Sequence, residues 1–542
     1  MRRYWVLTLL LAIGSLTAYA QDDNWQNWQK EFDDFNIQAW KEYEEFRKQA
    51  LKEYQDMVRR AWAEFKGEPA EQVPEEETIL PVFADKNENE TASIWDSLKR
   101  LFKKKGKKMP RQAQPKPIKG NGEVLAVGKE IAPLPKFEQP EPVLEIQETP
   151  QQVQHPNDYM AIDLFGLECK IRIGENCGIH LNGLTPDDVA NAMSVFEKPQ
   201  FNDMLYDCLE ARKHYHLSDW AYYLMLQKLV DSFYGKDTNE ASLALSFLFS
   251  QSGYKTRMVR DKQSLMVLVA SHHYIFGKDY TFEDINRDVR LYLLDGRRLG
   301  AVVKVCPARW KNEGSMSLQL TAEQVFKFNK TPRRTIRSRK NPDFVFTITS
   351  NKNYIDFFNT YPASYFGKDN MSRWAIYAET PLEKGIRDQL YPAMREKVKG
   401  MSEVEAVRQL LWWTQGDDID NEMTKINSEY FQYALDDLVW GTDRAFFGEE
   451  TLFYSWCDCE DRAILFSHLV REVVGLDVAL VYYPGHLATA VAFNEPVRGD
   501  GYVARDGRHY TVCDPTFLGA NIGETMTTVI GKPATLIPLK KN

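Results

Sequence analysis

Proline fixes φ near −65° and removes a backbone donor, so where it recurs every few residues neither a long helix nor a central strand can form. Between residues 67 and 156 this chain places Pro69, Pro74, Pro81, Pro110, Pro115, Pro117, Pro133, Pro135, Pro140, Pro142 and Pro150 among Glu, Lys and Gln. The stretch therefore reads as an extended linker that divides a short N-terminal part from a long C-terminal one. Within it Trp95, Leu98, Leu101 and Phe102 share one helical face, and Lys103, Lys104, Lys105, Lys107 and Lys108 follow. Residues 93–108 read as a solvated charge run whose lysines would also suit weak contact with an anionic membrane surface.

Ahead of the linker, Arg2 and Arg3 precede an apolar run from Val6 to Leu16, then Ala18-Tyr19-Ala20 and polar Gln21-Asp22-Asp23. That is the three-part pattern of a cleavable signal peptide over residues 1–20, cut after Ala20. The run is short for a membrane span, so the expected location is periplasmic or secreted. Residues 21–66 set Trp25, Trp28, Phe32, Phe35, Trp40, Tyr43, Leu51, Tyr54, Trp62 and Phe65 mostly at three- and four-residue steps. Such an aromatic stripe lies on one long helix or two shorter ones, and must be covered either within the chain or by self-association.

From residue 157 onward the composition is that of a globular protein, and 542 residues leave room for several domains. A net charge of −9 offers no field for a polyanion, and no nucleic-acid partner is expected. The basic stretch from Lys330-Thr331-Pro332-Arg333-Arg334 to Asn341-Pro342 reads as a surface connection between a domain at 157–340 and another at 375–542. A shift of 222 residues aligns Ala463 with Ala241, Leu465 with Leu243, Gly475 with Gly253 and Val481 with Val259. Each set sits on an apolar helix, a glycine stop and a strand, so the earlier domain reads as a possible duplicate of the later one.

The chemistry gathers in the later copy. Cys457-Asp458-Cys459-Glu460-Asp461-Arg462-Ala463 leads into a buried-helix pattern closed by Gly475. Asp458 reads as the N-cap and Asp461 as its capping partner, which places Cys459 at the first helical position. Unsatisfied N–H groups and the positive end of the helix dipole are expected there to favour thiolate. Asp477 to Tyr482 reads as a strand, Pro484-Gly485 as a turn, and His486 to Phe493 as the returning strand. His486, Ala488, Ala490 and Ala492 share a face, which would leave room beside the imidazole. Asp506-Gly507 marks a hairpin, and Arg508 to Cys513 forms a strand ended by Asp514-Pro515-Thr516. Adjacent strands could then bring Asp514 to one nitrogen of His486 while the other faces Cys459.

Cys459-Glu460-Asp461-Arg462-Ala463, then His486, then Asp514-Pro515-Thr516 resembles the transglutaminase-like superfamily of papain-type cysteine enzymes. The resemblance covers roughly residues 400 to 525 and implies an α+β fold with an antiparallel sheet packed on the Cys-bearing helix. It implies Cys459 as nucleophile, His486 as general base and acid, and Asp514 as the orienting carboxylate. In the earlier copy the same shift sets Asp237 opposite Cys459 and Ser264 opposite His486, so 157–340 would be a degenerate copy.

The expected activity is acyl transfer from a peptide or protein substrate through a thioester, with water favoured over an amine as acceptor because no calcium-loop motif of regulated cross-linking enzymes is present. The alternative is a non-enzymatic periplasmic scaffold or binding protein. No cofactor is expected. Cys457, Cys459, His486 and Cys513 carry zinc-ligand chemistry, but Cys-x-Cys is tighter than usual zinc spacing, and adjacent His272-His273 would face opposite sides of a strand, so no metal site is expected. Seven cysteines leave at least one thiol unpaired within the chain; Cys457 with Cys513 and Cys169 with Cys177 are the pairs open to bridging.

Overall fold

The computed structural model describes Glu68–Pro69, Glu71–Gln72, 122–143, 159–276, 279–281, 290–300, 302–305, 313–416, 429–433, 444–526 and 529–540. The signal peptide expected over 1–20, the aromatic segment over 21–66 and the basic stretch over 93–108 lie outside the described residues. The architecture is mixed α+β, and among the described residues no helix is long and apolar enough to cross a membrane.

The elements that place the chemistry are, in chain order, strand β1 (Val127–Glu130), helix α1 (Asn239–Gln251), and strands β2 (Thr256–Asp261), β3 (Ser264–Ala270), β4 (Asp279–Thr281), β5 (Leu291–Leu293) and β6 (Val302–Val305). They continue with helix α2 (Glu403–Gln415), the short strands β7 (Gln432–Tyr433) and β8 (Trp456–Cys457), and helix α3 (Cys459–Leu469). Last come β9 (Asp477–Tyr483), β10 (His486–Ala492), β11 (Gly501–Val503), β12 (His509–Cys513) and β13 (Ala534–Pro538).

Two sheets repeat one topology. The earlier sheet runs β6-β2-β3-β5-β4, with Glu68–Pro69 and Glu71–Gln72 paired beyond its two ends. The later runs β13-β9-β10-β12-β11, with β1 added in parallel beside β13. In each, a buried helix leads into an antiparallel hairpin, and its second strand pairs with the fourth in chain order while its first pairs with the fifth. Side chains alternate across both sheets as a period of two requires. Leu265, Val267 and Val269 join the main core, as Leu487 and Val491 do, whereas Met266, Leu268 and Ala270 form a second face, as Ala488 and Ala490 do.

Helix α3 is apolar around most of its circumference because it is enclosed: Ala463, Ile464, Leu465, Phe466 and Leu469 have no solvent exposure. Each large side chain of this kind contributes about 1.5–3 kcal/mol by burial. The helix widens into a π turn over Val470–Val474 and closes at Gly475, whose φ of 82° is left-handed.

One expectation is corrected here and another is refined. The prolines do keep 122–143 extended, but the segment is a strap fixed to the later sheet and to helix ends of the earlier unit. It begins as edge strand β1, then Gln139 donates to the Leu217 carbonyl and to Asp219, and the Val143 N–H donates to the Gln251 carbonyl. It passes so near Gly253 that a Cβ there would lie 1.9 Å from the Glu141 oxygen. Prolines 133, 135, 140 and 142 fall after β1, where no ladder donor is needed. The basic stretch at 330–343, exposed over much of its length as a surface connection would be, also contributes to a hairpin, Arg334–Arg337 with Val345–Ile348. The Arg334 guanidinium donates to the Thr451, Leu452 and Tyr454 carbonyls, so its charge is used inside the later unit.

Candidate active site

Helix α3 starts where the capping pattern predicts. The Asp458 N–H donates to Asp461 Oδ2 at 3.2 Å, and the Phe446 N–H donates to Asp461 Oδ1 at 2.8 Å. Cys459 is therefore the first helical residue, half-buried, with its thiol free. Helix α3 packs on β10, and Thr516 Oγ1 donates to the Cys459 carbonyl at 3.5 Å.

His486 opens β10 and Asp514 follows the last residue of β12, so antiparallel pairing of these strands brings the two together. His486 Nε2 lies 2.8 Å from Asp514 Oδ2. The other carboxylate oxygen accepts from the N–H groups of Thr516 at 2.9 Å and Phe517 at 3.2 Å, which fixes the carboxylate plane. Pro515 supports the turn that supplies these donors, because it ends the ladder. Burial lowers the His486 pKa, but the Asp514 charge, its hydrogen bond and the Glu460 charge outweigh that and leave it raised.

The thiol departs from expectation. Cys459 Sγ donates to Glu460 Oε2 at 3.0 Å, and no hydrogen bond joins it to His486. Burial pushes the thiol pKa well up, and the Glu460 and Asp458 charges push it further, against a lowering contribution from the Leu487 N–H that faces the sulfur. The helix terminus is outweighed because two carboxylates stand within the same turn. At rest the sulfur keeps its proton. Asp458, Cys459 and Glu460 also bring three metal-ligating atoms within 4.8 Å of one another. The set Cys457, Cys459, His486 and Cys513 forms no such group among the described residues.

The small residues of β10 do not open a cleft. Ala488 and Ala490 pack in a cluster with Tyr483, Tyr502 and Tyr510, whose bulk they accommodate. Tyr483 stacks on His486 with ring planes 11° apart and centroids 6.3 Å apart, and its hydroxyl bonds that of Tyr502. The open pairs for bridging are not formed either: Cys169, Cys177, Cys457 and Cys513 are all buried and stand outside any disulfide.

Three further residues hold the site, and the sequence pattern gave them no role. Gln415, the last residue of α2, donates through Nε2 to the Asp514 carbonyl at 3.3 Å and the Ala520 carbonyl at 2.9 Å. Arg462, buried one turn after Cys459, donates to the Gln415 carbonyl at 2.6 Å, the Phe431 carbonyl at 3.3 Å and Cys457 Sγ at 3.4 Å. Tyr433 on β7 stands opposite Cys457 in the strand register, with the Arg462 guanidinium 5.6 Å from its ring centre. A buried arginine inside the Cys-bearing motif was the one legible signal, since such a charge demands partners.

The equivalent place in the earlier sheet carries different groups on the same topology. Asn239 is the first residue of α1, and its Oδ1 accepts from the Leu265 N–H at 2.7 Å, as the Cys459 sulfur faces the Leu487 N–H. Ser264 opens β3 where His486 opens β10. Asp295, just beyond β5, accepts from the N–H two residues on at 2.9 Å, as Asp514 does. In place of an imidazole, Arg297 bonds Asp295 and Ser242 and donates to the Leu265 carbonyl at 3.1 Å. Asn239 therefore takes the cysteine's position, not Asp237 as a constant shift implies. The later helix is longer from Cys459 to Gly475 than the earlier one from Asn239 to Gly253, and its π turn takes up part of the excess.

Compared with family models, with curated proteins and with solved structures, the chain matches none.

Proposed function

We propose that the chain is an exported cysteine-dependent acyl-transfer enzyme of transglutaminase-like type that hydrolyses amide or peptide bonds through Cys459, His486 and Asp514. The observation that carries this reading is the buried His486–Asp514 hydrogen bond, at the ends of two paired strands, the first of which packs on a helix whose first residue is a free cysteine. The raised basicity of His486 suits a base that must take a thiol proton and return it to a leaving amine. Catalytic hydrogen bonds often shorten only when substrate is present, so the resting bond from Cys459 to Glu460 describes a stored form. Activation requires the thiol to leave Glu460 and give its proton to His486. The sulfur then attacks the carbonyl carbon, His486 protonates the departing amine, and water resolves the thioester.

A second reading, a non-enzymatic binding protein, draws support from the earlier copy, where Arg297 fills the corresponding place, and from the protonated thiol. Electrophile labelling decides between them. With iodoacetamide and peptide mapping, Cys459 in the enzyme should react faster than in a His486→Ala variant, and Cys459→Ala should abolish the adduct at that peptide. Equal rates in wild type and His486→Ala would leave the imidazole without a role and favour the binding protein.

A further inference from the structure

A tetrahedral intermediate needs donors aimed at its oxyanion, and a helix N-terminus offers the Cys459 N–H as one of them. A second must stand beside the sulfur with an unused hydrogen. Tyr433 meets that description. Parallel pairing of β7 with β8 sets it opposite Cys457, two residues before the nucleophile, and its ring lies by Arg462, one turn after it. Its backbone is thus tied to the strand just before Cys459 and its ring to the side chain one turn after it. The residue is half-buried, and its hydroxyl bonds no other described residue.

We infer that the Tyr433 hydroxyl is a catalytic oxyanion donor that, with the Cys459 N–H, binds the oxygen of the tetrahedral intermediate formed at Cys459. This rests on the acyl-transfer reading above. Burial raises the Tyr433 pKa, and Cys459 once ionised, then Asp458 and Glu460, raise it further, so the sulfur lies near enough to act on the phenol, whose hydroxyl keeps its proton and remains a donor. The nearby Gln415 amide, which could otherwise serve, already donates to two carbonyls. In the proposed step the sulfur–carbon bond forms while the carbonyl π pair moves onto oxygen. Tyr433 and the Cys459 N–H donate to that oxygen without transferring a proton, and the pair returns when the leaving group departs.

Two probes separate this role from a structural one. Acylation by p-nitrophenyl acetate passes through an oxyanion, whereas alkylation by iodoacetamide at a saturated carbon does not. Tyr433→Phe should slow p-nitrophenyl acetate acylation of Cys459 about 100-fold, the cost of one such donor, and leave its iodoacetamide rate unchanged. Tyr433→His, which restores a donor, should recover part of the loss. Equal slowing of both probes would make Tyr433 a structural residue, and no slowing of either would remove it from the site; each result overturns the inference. If Cys459→Ala releases nitrophenol as fast as wild type, the nucleophile assignment itself fails, an outcome recognisable apart from any behaviour of Tyr433.

Discussion

Replacing Asp514 separates the two tasks its carboxylate performs. Oδ1 holds the N–H groups of Thr516 and Phe517, and Oδ2 holds His486 Nε2. Truncation in Asp514→Ala orphans two buried donors at about 1–3 kcal/mol each, so a stability loss of about 2–6 kcal/mol is expected. Asp514→Asn can keep its oxygen on the two N–H groups and should lose only about 1 kcal/mol by that route, but it removes the negative charge from the imidazole. Burial, which lowers the His486 pKa, would then be opposed only by Glu460, and the residue should titrate lower than in wild type. The sign of the pH effect follows. In wild type the folded pKa lies above the ordinary 6.5, so the pair's contribution is complete below that value and is lost as pH rises through the folded pKa. The stability gap between wild type and Asp514→Asn should therefore be wider at about pH 6 than at about pH 9. Urea melts at the two pH values measure the gap, and imidazole NMR follows His486 directly. In a working triad the same variant should also lower kcat by roughly 10³–10⁴. A gap that does not change with pH, or an unmoved His486 titration, would refute the reasoning that the carboxylate charge sets this histidine.

Glu460→Gln removes the stronger of the two charges holding the proton on Cys459, so iodoacetamide labelling of Cys459 at neutral pH should quicken several-fold; labelling no faster than wild type would count against the stored form. Gly253→Ala and Gly475→Ala both place alanine at left-handed φ, but only at Gly253 does a Cβ strike the Glu141 carbonyl. The first should melt clearly lower than the second, whose strain alone costs about 1–2 kcal/mol, and equal melts would show that the strap does not bear on the helix end. Arg297→Ala should destabilise the protein by about 1–3 kcal/mol through its lost bonds to Asp295, Ser242 and the Leu265 carbonyl, with labelling of Cys459 unchanged.

Local sequence determined much of the later unit. The capping pair Asp458 and Asp461, the glycine stop at Gly475, the strand at Asp477–Tyr483 and the proline after Asp514 are short-range devices, each acting within a few residues, so the positions of Cys459, His486 and Asp514 at element ends were legible. What lay beyond the sequence depends on contacts between distant segments. The thiol's proton is held by carboxylates whose effect grows only with burial, and a helix terminus in isolation predicts the opposite charge state. The alanines of β10 were read as empty space because the tyrosines that fill it, Tyr483, Tyr502 and Tyr510, come from three other strands. Proline density announced extended backbone over 122–143 but could not say that this backbone ties the later sheet to helix ends of the earlier unit, since that is settled by partners at Leu217, Asp219 and Gln251. Asn239 was missed for the same reason: a constant shift along the chain cannot register a π turn, whereas the shared N–H contact at Leu265 and Leu487 does.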